Sequence, residues 1–186
     1  MTAIDRTIYR RMKRSYTTKE LIEAYTPTEE ERRFVTTMTR TVQNQLNLML
    51  WIKLFPCLGY FPALGEVPTV LVDHVRQALD LAAEVVPRYD HDRTLYRHHQ
   101  VVREYYLILP YGKEARRVIL RTLLRAVRTM DNPADIINAA LEELIKQRYE
   151  MPAFSTLNRL TRRVRTLVYG RLCQMGSPYH FGIYIR

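Results

Sequence analysis

Cysteine is nearly absent from this chain: two in 186 residues, Cys57 and Cys173, far apart in sequence. The first fourteen residues are polar and basic, with no apolar core after them, so no secretory leader is visible. Two such thiols read as small buried apolar groups rather than as a disulfide. Long hydrophobic runs are missing too. The strongest, Leu46 to Phe55, is interrupted by Lys53 and falls well short of the roughly 20 residues a membrane-spanning helix needs. A cytoplasmic protein with no membrane partner is the expectation. Glycine is scarce, six residues, and none builds a phosphate-cradling loop. There is no G-x-S-x-G elbow and no Cys/His pairing with a supporting motif. Period-two alternation, the mark of strands, is confined to Phe181-Gly182-Ile183-Tyr184-Ile185.

Acidic residues are the other scarcity, and their distribution is informative. The net charge is +10. Residues 1–92 hold 12 Lys/Arg and 12 Asp/Glu, a balance of zero, whereas residues 93–186 hold 17 against 7 and so carry the whole excess. An even excess would speak only of solubility; one confined to half the chain points to a polyanion-facing module.

What is present is helical periodicity broken by proline. Residues 1–27 form a basic arm bearing Arg6, Arg10, Arg11, Lys13 and Arg14, either a short helix or a flexible lead. A first helical subdomain, 28–90, begins at Thr26-Pro27-Thr28-Glu29-Glu30-Glu31, where a threonine caps and three acids favour the positive end of the helix dipole. A second helix, about Thr39 to Phe55, is apolar nearly all round and reads as the central buried helix, ended by Pro56. Pro68 heads a third, with Leu71, Val72, Val75 and Leu79 on one face. A boundary is expected near residues 87–93.

The second subdomain, 93–175, has helices at about 94–107 and 113–130, at Pro133 to about Arg148 behind an Asp131-Asn132 cap, and after Pro152. The apolar set of the 113–130 helix runs through Ile119 and Leu123 to Met130, leaving Arg117, Arg121, Arg125 and Arg128 as a stripe on the opposite side. The next helix buries Ile136, Ile137, Ala140, Leu141, Leu144 and Ile145. The last is capped by Ser155 or Thr156 and turns Leu157, Leu160, Val164, Leu167, Val168 and Leu172 inward. Residues 176–186 form a tail after Gly176 and Pro178. The fold class is therefore all-α, about seven helices in two small subdomains with helix-turn-helix-like character.

The candidate site follows from what the last helix leaves outside its core stripe: Ser155, Thr156, Asn158, Arg159, Arg162 and Arg163. Hydroxyls at a helix start bond phosphate oxygens, asparagine matches adenine edges, and arginine matches guanine or phosphate. A solvated basic face is the plain alternative; the preceding helix and short break favour a presented helix over a bare cationic one. The stripe Arg117, Arg121 and Arg125 suits phosphate contacts, which hold register without reading sequence. Arg93, Tyr96, Arg97 and His98 mix aromatic and cationic groups suited to phosphate and sugar. His98 and His99 point about 100° apart on a helix and cannot readily share a metal; no zinc spacing exists, so no metal and no cofactor is expected. Asp131, Asp135, Glu142 and Glu143 read as caps and surface charges, not as carboxylates converging on metal ions. The chain is not expected to be an enzyme.

Three blocks carry a resemblance: FPCLGYFPALGEVPTVLVDHV at 55–75, RTLYRHHQVVREYY at 93–106, and ARRVILRTLLRAVRTMDNPADIINAALEELIKQRYEMPAFSTLNRL at 115–160. Together, over roughly residues 17–173, they resemble the N-terminal domain of replicative transposases of the Tn-three family. The resemblance implies sequence-specific binding of double-stranded DNA at transposon terminal inverted repeats, in support of DNA transposition and recombination. It also implies that the acidic metal-binding catalytic centre lies in a larger C-terminal region that this chain lacks, so that the chain is a DNA-binding piece, a truncated product or a fragment. The competing expectation is a protein-interaction or self-association module of a transposition complex; a homodimer is compatible with either.

Overall fold

The structure is a computed structural model describing residues 3–175, with side chains described for 4–170. Cys173, Leu172 and the extended segment expected at 181–185 lie outside those side chains or residues. Among the described residues the fold is all-helical, with eight α-helices and no strand. These are α1 (Thr18–Glu20), α2 (Glu29–Met38), α3 (Val42–Leu58), α4 (Thr69–Ala78), α5 (Asp92–Tyr106), α6 (Lys113–Ala126), α7 (Pro133–Lys146) and α8 (Phe154–Met175). All but the single turn α1 run ten residues or more.

The chain forms two compact units. Residues Arg10–Pro110 make the neutral unit, and Met1–Tyr9 with Tyr111–Arg186 make the basic unit. The division falls at 110/111, not near 87–93. The physical reason is α5: its inward face, Val102 and His98, is fully buried, and the helix packs on α3.

The neutral unit is built on α3. Thr41 caps it, and from Leu46 to Leu58 only Lys53, Pro56 and Cys57 escape full burial. Pro56 does not end this helix; it sits inside the last turn, and Gly59 at φ 77° ends it, donating its N–H to the Phe55 carbonyl. Proline has no N–H, so the Ile52 carbonyl loses its helical donor. Tyr106 Oη replaces it, donating at 2.7 Å. Thr28 and Glu31 form a capping box at the start of α2: the Thr28 N–H donates to Glu31 Oε2 and the Glu31 N–H to Thr28 Oγ1. The same nearly buried carboxylate accepts from Lys53 Nζ at 2.9 Å, which is how α3 tolerates its one charge. Leu71, Val72 and Val75 of α4 complete this core, with Val67 before them.

The basic unit packs α6, α7 and α8 pairwise. Ala115, Ile119, Leu123 and Ala126 of α6 are buried, as are Ala134, Ile136, Ile137, Ala140, Leu141 and Leu144 of α7. Asn132 caps α7 by accepting from the Ala134 N–H, with Pro133 in the first turn. The α8 core set is Leu157, Leu160, Thr161 and Val164, the i, i+3, i+4, i+7 stripe. Leu167 and Val168, expected inward, are 62% exposed and half-buried respectively, because both stand beyond Val164, the last buried one among the described residues of the helix. Ile145, after the last buried residue of α7, and Met130, past the end of α6, are likewise exposed. The N-terminal lead is not free at its start. The Ile8 N–H donates to Asn138 Oδ1, and Tyr9 is buried with its hydroxyl on the Pro152 carbonyl and its ring edge-on to Phe154.

Candidate nucleic-acid interface

Helix α8 has 3.6 residues per turn and four buried positions, so its outermost line is set. It runs Ser155, Arg159, Arg162, Thr166, all exposed, with Arg163 exposed beside them. Thr156 and Asn158 are half-buried on the two flanks. The helix begins at Phe154, so Ser155 and Thr156 stand inside the first turn and do not cap it; the Ala153 carbonyl receives the Thr156 N–H at 2.9 Å. Their hydroxyls are thereby left available to an outside partner. The described part of α8 carries no acid at all.

On α6, Arg117, Arg121 and Arg125 are exposed on the side opposite Ile119 and Leu123, with Arg128 exposed just past the helix end. Arg117 pairs with Glu114. Arg121, Arg125, Arg128, Arg159, Arg162 and Arg163 have no ion-pair partner among the described residues. Three of the unit's seven acids, Asp135, Glu142 and Glu143, stand on α7. By sequence the basic unit holds 15 Lys/Arg against 7 Asp/Glu, a net +8, and the neutral unit 14 against 12, a net +2. Once α5 is assigned to the neutral unit, the excess still belongs to the basic one. Exposed cations on α6 and α8 that lack an ion-pair partner raise the local potential and attract polyanions.

The α5 segment divides. Arg93, Tyr96 and Arg97 are exposed, Tyr96 by 65%. His98 is not available to any groove: it is fully buried, with Nδ1 2.6 Å from Tyr89 Oη. Its neighbour His99 stacks on Phe61 at 3.9 Å between ring centroids and lies 4.3 Å from Trp51. Burial, and then the nearby arginines, push both imidazoles down to about 4, so both are neutral at physiological pH. Tyr89 is held protonated by the same burial. This aromatic cluster is structural, and an adjacent His-His pair in an Arg/Tyr-rich stretch gave no hint of which one the helix would turn inward.

Two features of α8 escaped the sequence reading. Arg165 lies over the Tyr169 ring at 5.6 Å, and Arg162, Arg165, Thr166, Tyr169 and Gly170 line a surface groove. The i, i+4 spacing of arginine and tyrosine was the available signal. Between α7 and α8 the connector spans residues 147–153, with Arg148 in the left-handed region at φ 56°. It is longer than a three- or four-residue helix-turn-helix turn.

Among the described residues no group of three or more His, Cys, Asp or Glu is placed to hold a metal ion. None of their helices is long and apolar enough to cross a membrane. Cys57 is a half-buried free thiol. A family described as "Domain of unknown function (DUF4158)" matches residues 1–164. No curated protein matches the chain.

Proposed function

The chain belongs to the DUF4158 family, and on that premise we propose that it is the DNA-binding part of a Tn-three family replicative transposase, recognising terminal inverted repeats without performing the transposition chemistry. The family's association with such transposases supports this reading. The observation that carries it is the placement of unpaired arginines on the outer faces of α6 and α8, in the unit that holds most of the net charge.

In this reading α7 buttresses α8 in a helix-turn-helix-like arrangement, and the line Ser155, Arg159, Arg162 enters the major groove. A major groove about 12 Å wide admits one α-helix. Arg159 and Arg162 offer the planar donor pairs that match guanine O6 and N7, and Asn158 reads from the flank. Arg117, Arg121 and Arg125 hold phosphates, as do Arg93, Tyr96 and Arg97 in the neutral unit.

The test is binding-site selection from random duplexes, followed by affinity against salt. Neutralising six or more phosphates costs about three orders of magnitude or more between 50 and 200 mM salt. A flat salt response, or no duplex enriched over the random pool, overturns the proposal. A second reading, a protein-contact or self-association surface, draws on Tyr96, Leu107 and Leu109 of the neutral unit, exposed by 65%, 71% and 50%. Light scattering that finds a dimer lost on Leu107→Ser/Leu109→Ser would favour it.

A further inference from the structure

The first turn of α8 is weakly supported by its own sequence. Ala153, the residue before the helix, is exposed and carries only a methyl group, so it offers no side-chain cap. The first N–H groups of a helix have no acceptor within it, and a start without a cap frays. Support comes from elsewhere in the basic unit. A 3-10 turn, Ala3–Arg6, packs on α7. Just after it the Ile8 N–H donates to Asn138 Oδ1, on α7, at 2.9 Å. Tyr9, 7% exposed, donates its hydroxyl to the Pro152 carbonyl at 3.1 Å. Pro152 is itself buried, and a buried carbonyl needs a donor. The Tyr9 ring stands edge-on to Phe154, the first residue of α8, with 5.6 Å between centroids. Residues 3–9 thus tie α7 to the start of α8, and all these groups belong to one unit.

We infer that this segment is a strap that fixes the first turn of α8, and that Tyr9 is a positioning residue for base selection which touches no DNA itself. The inference rests on the DNA-binding reading above. Matching base edges requires side chains held to within about 0.5 Å of the productive geometry. Phosphate contacts fix register and carry no sequence information, so they tolerate more movement. A loosened first turn displaces Ser155, Thr156, Asn158 and Arg159 together and leaves the arginines of α6 in place. The strap therefore governs discrimination between duplexes more than affinity for DNA as such.

The full chain provides the test in two arms, with Tyr9→Phe, which removes only the hydroxyl, and Tyr9→Ala, which removes the ring as well. Without DNA, amide hydrogen exchange over residues 154–158 should quicken several-fold in Tyr9→Phe, the size of one lost hydrogen bond, and further in Tyr9→Ala. With DNA, affinity for the selected duplex should fall several-fold in Tyr9→Phe and more in Tyr9→Ala. Affinity for mixed-sequence DNA and its salt slope should not change. Adding Ala153→Ser to Tyr9→Phe supplies a capping hydroxyl and should restore both slow exchange and discrimination. Unchanged exchange in both Tyr9 variants overturns the strap. Faster exchange with an unchanged ratio of the two affinities, or equal losses on both DNAs, overturns the role in base selection. Failure of the underlying reading looks different: the unaltered chain then enriches no duplex, while the exchange arm still reports on the strap.

Discussion

In the neutral unit, many of the basic groups lie beside carboxylates and the core is rich in rings; in the basic unit, most of the arginines on α6 and α8 lack a carboxylate partner and the core is mainly aliphatic. Lys13, Lys19, Arg32, Arg33, Lys53, Arg76 and Arg88 each lie beside a carboxylate in the neutral unit. Trp51 there gathers Phe61, Tyr89 and His99 around it. The basic unit buries mainly alanine, leucine, isoleucine and valine, with Tyr9 its buried ring, and leaves most of its arginines to solvent. Surface ion pairs stabilise weakly, about 0–1 kcal/mol each. The contrast therefore bears less on stability than on what each surface attracts: one is electrostatically quiet, the other is not.

The sharpest way to break the contrast is to remove its centre. Trp51→Ala should cost the neutral unit about 3–5 kcal/mol. Denaturant titration followed by Tyr and helix signals would show it; a loss below about 1 kcal/mol would mean the aromatic cluster is not the core it looks to be. Acid should discriminate between the units next. His98 and His99 are held near 4 when folded, against an ordinary value of 6.5. The unfolded chain thus binds more protons between these values, so stability is full above about pH 6.5 and falls as pH drops toward 4. His98→Phe/His99→Phe should flatten that slope, and an unchanged slope between pH 6.5 and 4 would count against burial of the neutral rings.

On the basic side, Arg159→Ala or Arg162→Ala should cost about 1–3 kcal/mol on the selected duplex and much less on mixed DNA. Arg121→Ala should weaken both alike and lower the salt slope by about one. Equal losses for every variant on both duplexes would remove base reading from α8. The smallest effect concerns backbone alone. Leu107 ends α5 at φ 54° with a 71% exposed side chain, so Leu107→Gly should stabilise by up to about 1 kcal/mol, measured as a rise in Tm.

Long apolar periodicities were legible from the sequence. The all-round apolar α3, the Thr28 and Asn132 caps and the arginine stripe of α6 all lie where spacing puts them. Ends were less so. Pro56 reads as a stop, but its cost is met by a tyrosine hydroxyl fifty residues away, which no local pattern reveals. The α5 helix was grouped with its arginine-rich successors by charge, while its place is decided by Val102 and His98 packing on α3. At the candidate interface, exposure of Ser155, Arg159, Arg162 and Arg163 follows from helical phase, whereas the loss of His98 to the core needed its tertiary neighbours. The first turn of α8 was misplaced by one or two residues, the usual uncertainty at a helix boundary.

The hydrogen bond from Tyr106 to the Ile52 carbonyl ties two distant positions into a single inheritable unit. Burial keeps that phenol protonated and able to donate. Replacing Pro56 by a residue with an N–H restores the helix's own donor and leaves the hydroxyl redundant; replacing Tyr106 alone strands a carbonyl in the core. Loss of the tyrosine is therefore costly only while the proline remains. Relatives of this chain that lack a proline at position 56 should therefore be free to lose the tyrosine at 106, and those that keep the proline should not.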